Sequence, residues 1–270
     1  MTNLLLITFF LCFSFLTWYR FHWGLYLLFL LLPTYLIRFK IGLLPTNMLE
    51  VILGIITVAW ILNYRNTIIS KVRKLTQTYP YLFIGYGVFI LAATISIFSS
   101  TNIISAAGKW KAFYAEPFIL FLILTTSIEK KEQLNNILLA LIGSGVATGI
   151  LAIYQQFTGW MVPYSFWENN QSYRVTGWYG FPNGIGHFLA PMVPVAIYLV
   201  KDKWAKISNQ KENILEWSKF LLGSLMIPLA ILGSIFAKSS AALIGIIAAI
   251  GIILLYHKKI RWWIIGIGTA

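Results

Sequence analysis

Cysteine is almost absent from this chain, and acidic groups are scarce: one Cys, at position 12, and 8 Asp and Glu in 270 residues. A lone cysteine closes no intramolecular disulfide, and no Cys, His or carboxylate cluster has metal-ligand spacing, so no metal centre is expected. Walker-type and dinucleotide fingerprints are also missing, and no nucleotide or other cofactor is indicated. Charged residues make up 11% of the chain, far below the roughly 25% of soluble domains, which excludes a soluble globular protein. Met1 to Tyr19 lacks the basic n-region of a signal peptide and reads as a retained span.

What the chain has instead is hydrocarbon. Hydrophobic residues reach 59%, aromatics 16%, and the mean hydropathy is +0.76. Apolar runs occupy roughly 3–19, 24–37, 43–62, 81–98, 113–128, 135–157, 185–200, 220–236, 241–256 and 262–270. Most approach the ~17–25 residues that cross a bilayer as helix. Backbone groups find no water there, and the runs lack the alternation of barrel strands, so an all-α, polytopic membrane helix bundle with 9–10 transmembrane segments is expected.

Orientation follows from loop charge. The segments 63–80, 129–134, 201–219 and 257–261 hold 4, 2, 5 and 3 Lys or Arg, whereas the loops between them hold only Lys109, Lys111, Arg174 and Lys238. The first set is expected to be cytoplasmic. The formal charge of +13 is thereby explained by sidedness, and nucleic acid is not an expected partner. Arg20, Arg38 and Lys40 leave the orientation of the first two runs open.

Arg174 lies in the polar loop Tyr173-Arg174-Val175-Thr176-Gly177-Trp178-Tyr179-Gly180-Phe181-Pro182-Asn183-Gly184. An arginine beside hydrocarbon either snorkels to headgroups or meets an anion. Gly177, Gly180 and Gly184 offer positive φ and close main-chain approach to an anion, and Asn183 is placed to cap the next helix. Two crossings separate Arg174 from Lys238, which returns it to the same side; Lys109 and Lys111 face that side too. Four cations on the outer face fit an anionic lipid diphosphate, with plain snorkelling as the alternative. His187, four residues after Asn183, is a candidate for proton transfer or an interfacial hydrogen-bond donor. Glu50 and Glu116 fall within or at the edge of apolar runs, where a carboxylate is functional or paired with a lysine. Glu168 is a candidate partner for Arg174. Trp160, Tyr164, Phe166, Trp167, Tyr173, Trp178 and Tyr179 have the composition of an interfacial belt. The small residues from Gly143 to Gly149 allow close helix packing.

The run from Arg174 to Asn183, R-x-x-G followed by aromatic-Gly-Phe-Pro-Asn, resembles the core signature of the O-antigen ligase and O-antigen polymerase family. The similarity covers roughly residues 80 to 256. Gly108 to Pro117 is similar to the stretch that opens a core helix, and Ser234 to Ala241 stands where the family has a Ser-Arg-Gly type motif, with Lys238 in place of the arginine. The resemblance implies a glycosyltransferase that moves a glycan from undecaprenyl diphosphate to an acceptor hydroxyl at the outer face of the bacterial cytoplasmic membrane. It implies Arg174, Lys238, Lys111, Gly177 and Asn183 as substrate-binding residues; it assigns no catalytic residue, for which His187 and Glu116 are candidates by their positions alone. On this reading residues 1–80 are amino-terminal membrane helices with a basic loop, 81–256 the core region, and 257–270 the start of a further helix. Family members continue into a long outer loop, so the chain resembles an amino-terminal part of such a protein. The partners expected are the lipid-linked glycan and membrane lipids. A transporter or flippase for a lipid-linked or anionic substrate is the alternative, since it also needs intramembrane charge.

Overall fold

A computed structural model of the chain describes residues 2–42, 44–162, 167, 173–209 and 214–255, and among these helix is the rule. The tenth apolar run, the basic segment 257–261 with His257, and Tyr164, Phe166 and Glu168 lie outside the described residues. The chain divides into two compact units, Met1–Leu28 with Ile37–Leu134, and Phe29–Leu36 with Asn135–Ala270.

The first unit begins with α1 (Thr2–Tyr19) and α2 (Phe21–Leu30), whose last residues enter the second unit. A short antiparallel pair follows, β1 (Arg38–Ile41) and β2 (Leu44–Asn47), in the register Arg38 to Asn47 and Ile41 to Leu44. This corrects the expectation that the run from 43 is helical throughout. Pro45 has no N–H to give a helix, and Asn47 caps α3 (Met48–Tyr64), its side chain accepting from the Glu50 amide at 3.0 Å, so the helix starts later than the apolar run. The unit continues with α4 (Ile68–Thr78), α5 (Pro80–Phe98), α6 (Ile103–Trp110), a π turn (Lys111–Ala115) and α7 (Glu116–Ser127).

Two contacts at opposite ends show that α3 and α7 run parallel. Lys111, just before α7, meets Glu50 at 2.7 Å, and the Trp60 indole donates to Thr126 Oγ1 at 2.9 Å. Beyond them Lys71 pairs with Glu129 at 2.7 Å. The loops 63–80 and 129–134, both read as cytoplasmic, therefore share an end of this unit.

The second unit is built from α8 (Lys131–Thr158), α9 (Pro182–Leu189), α10 (Met192–Asn209), α11 (Ile214–Phe236) and α12 (Ser240–Leu255). Its core includes Ile142, Ile185, Leu189, Val193, Leu199 and Met226, all fully buried. The small residues of α8 do what their spacing predicts: a Cβ on Gly145 would lie 2.5 Å from Met192 Sδ, and one on Gly149 would lie 2.8 Å from Leu229 Cβ.

Four helices are long and apolar enough to cross a membrane: α5, α8, the α9–α10 pair over Pro182–Ala205, and α11. Counting α3 with α4 as one bent span makes five. The other apolar helices, Leu4–Tyr19, Phe21–Leu30 and Ser240–Leu255, are shorter. Runs outnumber full-length helices because local chemistry cuts them. Pro33 falls in the tight turn Leu32–Leu36 that replaces helix after α2, and the run from 113 begins in the π turn. The chain is an all-α, multi-pass membrane protein.

Candidate functional site

The loop bearing Arg174 hangs from one side chain. Gln155, fully buried near the end of α8, accepts from the amides of Thr176 (3.1 Å) and Gly177 (2.8 Å) through Oε1. Its Nε2 donates to the carbonyls of Met161 (2.8 Å) and Gly177 (2.9 Å), and the Tyr173 hydroxyl donates to its backbone carbonyl. A primary amide offers two donors and two acceptor positions, and here all four are matched to backbone. The Val175 amide adds a bond to Phe236 O at 3.3 Å, which ties the loop to the end of α11.

Arg174 closes the arrangement. Its Nε donates to Ala237 O at 2.7 Å, its Nη2 donates to Asn183 Oδ1 at 3.0 Å and Lys238 O at 3.2 Å, and the Trp167 ring centre lies 5.5 Å from Cζ. The loop, the start of α9 and the end of α11 thus converge on one guanidinium. Nη1 has no acceptor among the described residues. Asn183 was expected to cap α9, but the cap position is Phe181, Pro182 takes the first helical place, and the Asn183 amide oxygen serves Arg174 instead.

Lys238 is exposed and holds φ +49°, a left-handed conformation that favours glycine. It ends α11 in a Schellman-type turn, with Lys238 N–H to Ile235 O at 2.8 Å and Ser239 N–H to Ser234 O at 3.0 Å. Its own carbonyl accepts from Arg174 at 3.2 Å, and its ammonium has no ion-pair partner among the described residues. His187 is exposed on α9, one turn after Asn183.

The glycines divide. Gly177 takes φ +59°, as expected, but Gly180 and Gly184 are not in the positive-φ region. A Cβ at Gly184 would lie 2.9 Å from Tyr179 Cβ, so that glycine serves close packing. The Thr176 and Gly177 amides are spent on Gln155 and do not face an anion. The aromatics divide too. Trp160 is exposed as a belt residue would be, whereas Tyr179 is buried in the core against Phe188 and Tyr35, and the Trp178 indole donates to Thr148 Oγ1 at 3.1 Å.

In the first unit, Lys111, Glu50 and Glu116 form a separate cluster. The Lys111 ammonium is 2.7 Å from Glu50 and 3.9 Å from Glu116, and Thr46 Oγ1 donates to the same Glu50 oxygen at 2.7 Å. The π turn places Lys111 and Glu116 at its two ends, and the Glu116 amide reaches Lys111 O across five residues. Lys111 is thus already paired with a carboxylate, the lysine-paired alternative for Glu50. Lys109, on α6, is exposed.

Sequence reasoning missed Gln155, although an amide inside a long apolar run was the available signal; only ionisable residues were weighed there. It also missed Lys203, which is 3% exposed and sits 3.6 Å from Asp202 and 3.3 Å from Glu216, joining α10 to α11. Counting it as one more cytoplasmic charge hid its burial. Comparison with protein-family models, curated proteins and solved structures returned no match.

Proposed function

We propose that the second unit binds a lipid-linked diphosphate and acts in glycan transfer of the O-antigen ligase or polymerase type, in the bacterial cytoplasmic membrane. The observation that carries this reading is the meeting of Arg174, Asn183 and Lys238, residues singled out by the motif resemblance, at one end of the unit. The Arg174 side chain is fixed by three protein acceptors, its Nη1 has none among the described residues and would serve a phosphate oxygen, and Lys238 is exposed at the left-handed turn beside it. An acceptor hydroxyl attacks the anomeric carbon, the bond from that carbon to the phosphate oxygen breaks, and the two cations stabilise charge developing on the departing diphosphate.

Titration of the purified chain with undecaprenyl diphosphate tests this. Lys238→Gln is expected to weaken binding about tenfold, the loss of one charge-assisted hydrogen bond, while Lys238→Arg retains it. Arg174→Lys is expected to weaken it as well, because the fork that reaches protein and phosphate together is lost. Wild-type affinity in both Lys238→Gln and Arg174→Lys would overturn the reading. The transporter or flippase alternative is favoured by the interruption between α9 and α10 within one span. It predicts movement of labelled carrier across liposomes, whereas transfer alone leaves the lipid in its leaflet.

A further inference from the structure

At the end of α3 the chain turns by 100° into α4, so that if α3 crosses the bilayer, α4 lies along its surface. The two faces of α4 differ. Ile68, Lys71, Val72, Leu75 and Thr76, at helical spacing, are half-buried, while Ser70, Arg73, Lys74 and Gln77 are exposed. Ile69 is exposed with them and Lys71 is not, but most of the apolar residues lie on one side and most of the cations on the other, which suits the layer between acyl chains and headgroups. Arg65, just before α4, is exposed too, and neither it, Arg73 nor Lys74 has an ion-pair partner among the described residues.

A cleft of about 390 Å³ runs between α4 and the end of α7, lined by Lys71, Lys74, Thr78, Tyr79, Thr126 and Glu129. Lys71 is committed inside it, 2.7 Å from Glu129 and 2.8 Å from Thr126 O. The Lys71 hydrogen bond, and then its charge, hold the Glu129 carboxyl below the usual carboxylate range, so the pair stays ionised. Lys74 at the same cleft has no such partner. The positive-inside bias assigns this end to the cytoplasmic leaflet, where anionic lipid is concentrated.

We propose that α4 is an interfacial helix whose Arg65, Arg73 and Lys74, with the cleft against α7, hold the headgroup phosphates of anionic lipid. Charge complementarity selects this occupant: Lys74 lines a cleft whose own acid is already neutralised, and the exposed Arg65 and Arg73 add two cations on the same stretch of chain. Basic residues at a membrane surface each contribute about 1 kcal/mol, roughly fivefold in affinity.

The test uses the full chain in nanodiscs of mixed phosphatidylglycerol and phosphatidylcholine, with native mass spectrometry counting the lipids retained on release. Wild type is expected to retain phosphatidylglycerol preferentially. The triple variant Arg65→Gln, Arg73→Gln, Lys74→Gln is expected to lose at least tenfold of that preference. A control with the same charge change elsewhere, Arg20→Gln, Arg38→Gln, Lys40→Gln, keeps it. Equal retention by triple variant and control would overturn the proposal, as would a chain released as a dimer without bound phosphatidylglycerol, because α4 would then cover a second copy.

Discussion

At the scale of single residues, the loop around Arg174 depends on a side chain with no charge. Replacing Gln155 by Leu takes the acceptor from the buried Thr176 and Gly177 amides, where each orphaned group costs about 1–3 kcal/mol. The expected loss is about 3–5 kcal/mol of stability, with the loop amides becoming open to hydrogen exchange while the core of α8 stays protected. Lys238 makes the opposite case. A non-glycine residue in left-handed backbone costs about 1–2 kcal/mol, so Lys238→Gly is expected to raise the thermal midpoint in detergent while weakening carrier binding. A fall in both would assign Lys238 a structural part only. Arg174 stood out in the sequence because a cation between apolar runs needs an anion or a headgroup. Two of its three protein acceptors were not legible, since Ala237 O and Lys238 O are backbone atoms that any sequence would supply.

Elements were easier to read than their ends. Each long helix coincides with an apolar run, because a bilayer leaves the backbone no other solution. The turn at Asn47, the tight turn through Pro33 and the π turn before Glu116 went unread, since hydropathy averages over the few residues that decide where a helix starts. Packing between helices followed from small residues more directly. Gly149→Ala is expected to destabilise by about 1–3 kcal/mol, because the added methyl meets Leu229 Cβ, which cannot rotate away. Gly87→Ala in α5 meets nothing within 4 Å and is expected to leave stability unchanged or slightly raised. Thermal unfolding of the two variants in the same detergent checks the contrast. α5 has only Ala93 buried and leaves most of its apolar residues exposed, as a lipid-facing helix does, with Phe83 and Tyr86 packed against Phe118.

For the whole molecule, loop charge was the most informative signal. The ends it assigned to one side do meet: Lys71 with Glu129 in the first unit, and Asn135 with Asp202 at 3.3 Å in the second. A reporter joined after Lys74 is expected to read cytoplasmic and one joined after Trp160 external; the same side for both would remove the topology. Division into two units was not legible, because nothing in the hydropathy of Phe29–Leu36 says that these residues belong with helices beginning a hundred or so positions later. Tyr35 packs its ring 6.3 Å from that of Tyr179, and Leu30 lies beside Gly143. Synthesis reaches the early segment first. At roughly 5–20 residues per second, it waits on the order of ten seconds for its partners to leave the ribosome, and in that interval lipid or an insertion factor must cover it. A gene cut after Lys130 would therefore yield a second half that folds only in cells also making the first, because the piece that completes its packing is encoded upstream of the cut.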